Sequence, residues 1–553
     1  MAMEFTSSVK VDFPNEDILT YVFGNTLFQE DDQIWFNAAN IKEYITLRQA
    51  RSLTGRIGRY LRNLGVGENG QGKDFVLCFV ENQTLVGPAC FGVLCAGGVH
   101  SACPMSSTVA EVARQIGLSK PKVMICSELT KDTAQKALQQ AGMSKSVHLL
   151  IMDSSSCYIK STRDGSSLPH KELAWERITD PSILDSTTAL TLFSSGTTGI
   201  PKGVQLTHRN IVSNLVQMRY IFDRVATPQQ KATKRLRMPG IIQNSAPAGI
   251  LVHSMMALQR GMQVFLVTKY NFDDLVHMIR EYELSALFLV PAVFLRITQT
   301  FQAQDLRNIR WALSGASPLS PDLQSKVNAM LPGGVNLNVN WGMTETTCGA
   351  TQLEPNEKES EGSVGRLLPG MKLAIMGADG RHQGPEQLGE VCLKGPNIMR
   401  TYFENPQATK AAYGKDGWFL TGDIGMMSAS GKLFIKGRAK ELMKYKGNQV
   451  SPTELEAVIG ECPGVADVGV ISIPDGEGND LPRAYVVRSE SNNCTVSAVH
   501  EFVNKRVSRY KQLRGGVVFI AEIPRNTNGK IMRDVLKKRA NAEVSGSTSQ
   551  PKL

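Results

Sequence analysis

The chain has 553 residues, 42% hydrophobic and 20% charged, with a formal net charge of +10. A chain of this length outgrows one hydrophobic core, so two or more domains are expected, and the ordinary composition excludes wholesale disorder. The positive balance favours anionic small molecules. Its basic residues are interleaved with acids, however, so a run such as KATKRLR at 231–237 reads as a solvated face and no nucleic-acid partner is expected.

Ten cysteines are scattered without a C-x-x-C pair, which argues for reduced, mostly buried thiols and against metal clusters or a disulfide scaffold. The N-terminus has no apolar core of the signal-peptide kind. The weakly polar stretch at 85–99 is too short and Gly-rich to span a bilayer. A soluble, intracellular protein without a transmembrane segment is expected.

In chain order, 75–80 (FVLCFV) reads as a buried strand followed by a helix ending near Cys95. A strand at 123–126 and a helix at 131–140 come next. An apolar strand at 189–193 then runs into TLFSSGTTGIPKGV (191–204), the most informative segment. Gly196 and Gly199 let backbone amides approach phosphate oxygens, Ser194, Ser195, Thr197 and Thr198 add hydroxyl donors, and Lys202 adds a cation. A Ser/Gly-rich surface turn is the plain alternative. The string is not a Walker A loop, since no G-x-x-x-x-G-K-[ST] occurs. Further on, a strand at 262–267, a helix at 273–283 and a strand at 286–290 continue the alternation. That pattern predicts an α/β fold, with parallel or mixed sheets flanked by helices. After about Lys436 the texture changes to a stretch of its own, with helices at 453–459 and 497–507 and strands at 465–472 and 483–487. The expected division is a large N-terminal domain at 1–437 and a small mobile α+β domain at 438–553, with a hinge at 437–440.

With its phosphate loop, the sequence resembles the adenylate-forming superfamily: acyl-CoA synthetases, 4-coumarate–CoA ligases and beetle luciferases. The blocks that carry the resemblance follow in order: SGASPL (314–319), WGMTET (341–346), GWFLTGD (417–423), RAK (438–440), KYKG (444–447) and PRNTNGK (524–530). It extends from about residue 50 to 540.

The resemblance implies that ATP activates a carboxylic acid, fatty or aryl-propenoic, as its acyl-AMP, and that the acyl group then passes to coenzyme A. It implies that Thr344 bonds the α-phosphate, that Glu345 holds Mg2+, and that Trp341 stacks on adenine. Asp423, assisted by Arg438, would take the ribose hydroxyls. Gly315, Ala316, Ser317, Asn340, Gly342 and Met343 would line the nucleotide and acyl site, and Gln449 would contact the AMP phosphate. Lys530 would bridge carboxylate and α-phosphate during adenylation. Rotation at Lys440 would then withdraw it and bring Lys444, Lys446 and Gly447 to the CoA path.

Three departures from the family pattern stand out. The aromatic-His segment of the acyl pocket reads Pro247-Ala-Gly-Ile-Leu251, with His253 a few residues on. The Asp before the hinge Arg is Gly437, which is expected to loosen the hinge and leave Arg438 without an anchoring carboxylate. Ser317 occupies a position that is usually smaller. A luciferase-like oxygenase and a nucleotide- or acyl-binding pseudoenzyme therefore stay open beside the ligase. The terminal Pro-Lys-Leu resembles a peroxisomal address, implying an import receptor as partner, or is an arbitrary ending; peroxisomal and cytoplasmic locations are both open.

Overall fold

The computed structural model describes residues 3–194, 201–225, 235–355, 357–446, 448–476, 479–489, 494–525 and 530–547. Five of the phosphate-loop residues named above (Ser195, Gly196, Thr197, Thr198 and Gly199) lie outside them. So do 231–234, Gly447, the NTNG turn at 526–529 and the terminal Pro-Lys-Leu. The side chains of Ser194 and Gln449 are likewise outside the description.

Apolar runs become central strands because both faces of a parallel sheet are covered. Phe75–Phe79, buried at every residue, lies at the middle of an eight-stranded sheet. The sheet order is Thr401–Tyr402, Lys202–Thr207, Thr188–Ser194, Val99–Ala102, Phe75–Phe79, Val123–Cys126, His148–Asp153 and Tyr158–Ser161. The five strands from Thr188–Ser194 to His148–Asp153 are parallel, and antiparallel strands close both edges. A four-stranded sheet combines Arg237–Gly240 and Gln263–Leu266 with the N-terminal strands Gln33–Asn37 and Asn40–Thr46. A five-stranded sheet begins with the parallel strands Ala286–Leu289, Trp311–Ser314 and Leu337–Trp341.

Helix boundaries follow side-chain caps. Thr46 and Gln49 form a reciprocal capping box for Leu47–Asn63, and Thr108 with Glu111 does the same for Val109–Ser119.

A further sheet, absent from the sequence reading, is wholly antiparallel: Phe5–Thr6, Lys372–Met376, Gly389–Lys394, Phe419–Met427 and Leu433–Arg438. Beyond it, a hairpin of Met443–Tyr445 and Asn448–Val450 and a three-stranded sheet, Val465–Pro474, Asp480–Arg488 and Val517–Phe519, carry the last part of the chain. This part has its own apolar cluster, in which Met443, Leu455, Ile459, Val470, Val486 and Val499 pack together. The largest cluster draws only on residues before Phe434, from Ile18 to Leu433.

No helix of the described residues is long and apolar enough to cross a membrane. Of the ten cysteines, all free, Cys157 is exposed, Cys348 is half-buried and the rest are buried.

Candidate active site

The C-terminal ends of parallel strands are where α/β sheets leave a crevice for ligands. Here three such ends carry the expected motifs: Ser194 leads into the phosphate loop, Ser314 into Gly315-Ala316-Ser317, and Trp341 into Gly342–Gly349. Lys202 opens the return strand directly opposite Ser194.

The loops are tight. Ala316 has φ +66, and a Cβ on Gly315 would stand 3.3 Å from the Asn340 carbonyl oxygen. Asn340 donates its side-chain amide to the Thr351 carbonyl at 3.1 Å. At Gly342 a Cβ would lie 1.9 Å from the Cys348 carbonyl oxygen, so only glycine fits the crossing of this loop on itself. Met343 precedes a short 3-10 turn, Thr344–Thr346, which is pinned by the Met343 amide donating to Thr346 Oγ1 at 2.9 Å.

Glu345 is half-buried on that turn, and its Oε1 accepts from Tyr402 Oη at 2.8 Å. The Tyr402 ring faces Lys202, whose Nζ is 5.0 Å from the ring centroid. Burial, with the neighbouring Glu345 charge, raises the Tyr402 phenol above its ordinary pKa and keeps it a neutral donor. Tyr402 was missed in the sequence. Its short strand, Thr401–Tyr402, is too brief to show a period.

Asp423 and Arg438 are direct partners across the antiparallel pair of Phe419–Met427 and Leu433–Arg438. Arg438 Nε lies 2.6 Å from Asp423 Oδ1, and Trp341 Nε1 donates to Asp423 Oδ2 at 2.9 Å. This corrects the expectation that Gly437 leaves Arg438 without a carboxylate: the cross-strand neighbour supplies it. Asp423 is 4% exposed, and burial raises its carboxyl against the opposing pull of Arg438, Trp341 and Lys530. Gly437 itself is buried at φ +148, and a Cβ there would come 3.0 Å from Ser451 Oγ.

Lys530 is brought to the same place from the C-terminal part. Its Nζ is 4.0 Å from Glu441 Oε1, and burial, then the nearby Arg438 guanidinium, lower its pKa. Arg533 reinforces this junction, reaching Glu441 at 3.2 Å and Glu456 at 2.7 Å. Lys440 is exposed just past Arg438.

Lys444 and Lys446 are not gathered at this point. Both are exposed on the hairpin, held through their backbone amides by Asp480 Oδ2 at 2.9 Å and Asn479 Oδ1 at 3.0 Å. Lys444 faces Gln449 across the hairpin.

The altered segment forms a short helix, Pro247–Ile250, continued by a π-helix at Leu251–Met256. His253 lies in that π-helix, 2% exposed, with burial lowering its pKa to about 4. Its backbone carbonyl accepts from Trp35 Nε1 at 2.8 Å, and burial disfavours the charged imidazole, so it is a core residue.

Among the described residues no group of three or more His, Cys, Asp or Glu side chains could hold a metal ion. A lone carboxylate such as Glu345 fits a hard divalent cation that shares phosphate oxygens and keeps its waters.

The fold and this arrangement define an α/β enzyme with its ligand crevice at the ends of parallel strands. Residues 29–403 match the family model for AMP-binding enzymes, and 454–530 match that for the AMP-binding enzyme C-terminal domain. A putative acyl-coenzyme A synthetase of Emericella nidulans is 35% identical, over 98% of this chain and 99% of its own. Phenylacetyl-CoA ligase epaB of Aspergillus niger is 31% identical, over 98% of this chain and 100% of its own. The fold is that of ATP-bound MatB from Rhodopseudomonas palustris, with a TM-score of 0.80 at 24% identity, covering 95% of this chain and 99% of that one. The chain belongs to the AMP-binding enzyme family, within the adenylate-forming superfamily.

Proposed function

We propose that the protein is an AMP-forming acid–CoA ligase acting on a fatty or aryl-containing carboxylic acid. The observation that carries this reading is the convergence of Trp341, Asp423 and Arg438 with Lys530, a residue more than ninety positions beyond Arg438. Relatives named as acyl-CoA synthetase and phenylacetyl-CoA ligase along their full lengths support it. In the domain division that accompanies this reading, 1–437 binds nucleotide and acid, and 438–553 supplies the mobile catalytic groups.

In the first half-reaction a carboxylate oxygen bonds to the α-phosphorus of ATP while the bond to the β-phosphate oxygen breaks, and pyrophosphate leaves. Charge gathers on phosphate oxygens, so the protein's work is positioning and charge stabilisation. Lys530 holds the incoming carboxylate and the α-phosphate together. Thr344 donates to the α-phosphate, and Lys202 with the phosphate-loop amides takes the outer phosphates. Trp341 offers its face to adenine and Asp423 its remaining acceptor capacity to the ribose. Glu345 would hold Mg2+, which supplies charge neutralisation to the phosphates. In the second half-reaction the CoA thiol bonds to the acyl carbon, AMP leaves with the electron pair of the broken C–O bond, and the thiol proton passes to solvent. Lys444, Lys446 and Gly447 serve this half after rotation at Lys440, whereas Gln449 contacts the AMP phosphate in the adenylating orientation.

The test is pyrophosphate release from ATP and Mg2+ over a panel of fatty, phenylacetic and aryl-propenoic acids, with and without CoA. Release dependent on one class of acid, with thioester formed on adding CoA, is expected. Lys530→Ala should lower it by about 100-fold or more. ATP binding without release across the panel would overturn the reading in favour of a binding protein, to which the His-free segment at Pro247–Ile250 already points.

A further inference from the structure

Between Pro396 and Phe403 the chain crosses from the Thr344–Gly349 loop to the strand that follows the phosphate loop, and it is bonded to both. At its start, Asn397 is fully buried and donates to the carbonyls of Thr346 and Gly349, each at 2.9 Å. Thr347 Oγ1 returns a bond to the Asn397 carbonyl at 2.7 Å. The Met399 amide donates to the Glu345 carbonyl at 2.7 Å. At its end, Arg400 and Phe403 donate their amides to Gln205 and Gly203, at 3.2 and 2.7 Å, and Tyr402 lies opposite Val204. The buried side-chain amide of Asn210 donates to the Pro396 and Ile398 carbonyls of this segment, and that of Asn214 to the Gly349 carbonyl of the neighbouring loop.

Tyr402 is the one side chain of this strap seen to meet functional groups on both flanks. Its hydroxyl donates to the Glu345 carboxylate at 2.8 Å, and its ring face receives Lys202 at 5.0 Å from the centroid. It is 8% exposed, so neither contact is diluted by bulk water. A carboxylate with one oxygen held by a phenol turns the other in a fixed direction, and a cation above a ring is held laterally as well as in distance.

We infer that Tyr402 is a positioning residue for adenylation, setting the Glu345 carboxylate and the Lys202 ammonium relative to each other through one rigid side chain. The inference rests on the ligase reading, in which Glu345 serves Mg2+ and Lys202 the phosphates. It assigns Tyr402 no contact with substrate. The strap from Asn397 to Phe403 is what keeps the tyrosine in register with both loops.

The test separates the two contacts without needing the acid. ATP is titrated calorimetrically into the full-length protein, once with excess Mg2+ and once with a chelator. Tyr402→Phe keeps the ring and removes the hydroxyl: metal-free ATP affinity should stay within about twofold of wild type, while the strengthening given by Mg2+ falls roughly tenfold. Tyr402→Leu removes both contacts and should weaken ATP binding under both conditions. Circular dichroism and melting temperature establish that each variant is folded. A Tyr402→Phe protein with an undiminished magnesium effect would overturn the inference, because a tyrosine that only packs the core loses nothing to phenylalanine here. Wild-type protein that binds no ATP at all would overturn the ligase reading and the inference with it. Magnesium-tightened ATP binding by wild type, without turnover of any acid tried, leaves the Tyr402 comparison valid while removing only the ligase reading.

Discussion

At Asp423 two donors already occupy a buried carboxylate: Arg438 on one oxygen and the Trp341 indole on the other. The indole therefore has an edge role in addition to the adenine stacking proposed for its face. Trp341→Phe keeps the flat apolar face and removes the donor, leaving part of a buried charge unsatisfied at a cost of about 1–2 kcal/mol. Michaelis constants for ATP in the pyrophosphate assay should rise by about 5- to 30-fold, with kcat nearly unchanged. An equal fall in kcat would place the indole in the chemistry of adenylyl transfer instead. The residues themselves were legible because each sits inside an unusual string, such as WGMTET or GWFLTGD. Their mutual contacts were not, since Trp341 and Asp423 are 82 positions apart and meet only through two different sheets.

Among the elements, strands buried on both faces were read closely. Phe75–Phe79, Val123–Cys126 and Ala286–Leu289 match their apolar runs to within a residue. The antiparallel sheet escaped. Phe419–Met427 alternates buried and half-buried at every residue, yet glycine at 422 and 425 and Asp423 disguise the period. The π-helix at Leu251–Met256 escaped for another reason: nothing in LVHSMM distinguishes a wider helical turn from an ordinary one.

The hinge element shows the reverse case, where a residue read as a weakness has a geometric use. Gly437 takes a backbone conformation that L-residues rarely adopt, and a Cβ there would crowd Ser451, whose Oγ accepts from the Glu454 amide at the start of the helix Pro452–Gly460. A side chain at 437 strains this orientation by about 1–2 kcal/mol. Gly437→Ala should therefore slow acyl-AMP formation by about 5- to 30-fold. Thioester formation from preformed acyl-AMP, which the proposed rotation assigns to the other orientation, should be spared. Quenched-flow measurement of the two half-reactions decides this, and equal slowing of both would exclude an orientation effect.

For the whole molecule, the sequence conveyed the superfamily because the ordered motifs span almost the entire chain. What it withheld was how distant residues meet: Glu441 receives both Lys530 and Arg533, and Lys530 comes near enough to Asp423 to pull on its carboxyl. Such contacts depend on the relative placement of packed bodies, which no local period encodes.

The uneven burial of the thiols gives the folded chain a graded chemical response. Cys157 alone is exposed, while Cys348 is half-buried on the loop whose carbonyl closes over Gly342. A maleimide should modify the native protein at Cys157 within minutes and at Cys348 more slowly, with the buried thiols reacting only on unfolding. Intact-mass and peptide mapping give the order, and rapid labelling of any third cysteine would contradict it. Saturating ATP should slow the second event and leave the first untouched. On that outcome the protein carries two clocks of its own, one for the intact fold and one for the proposed nucleotide site.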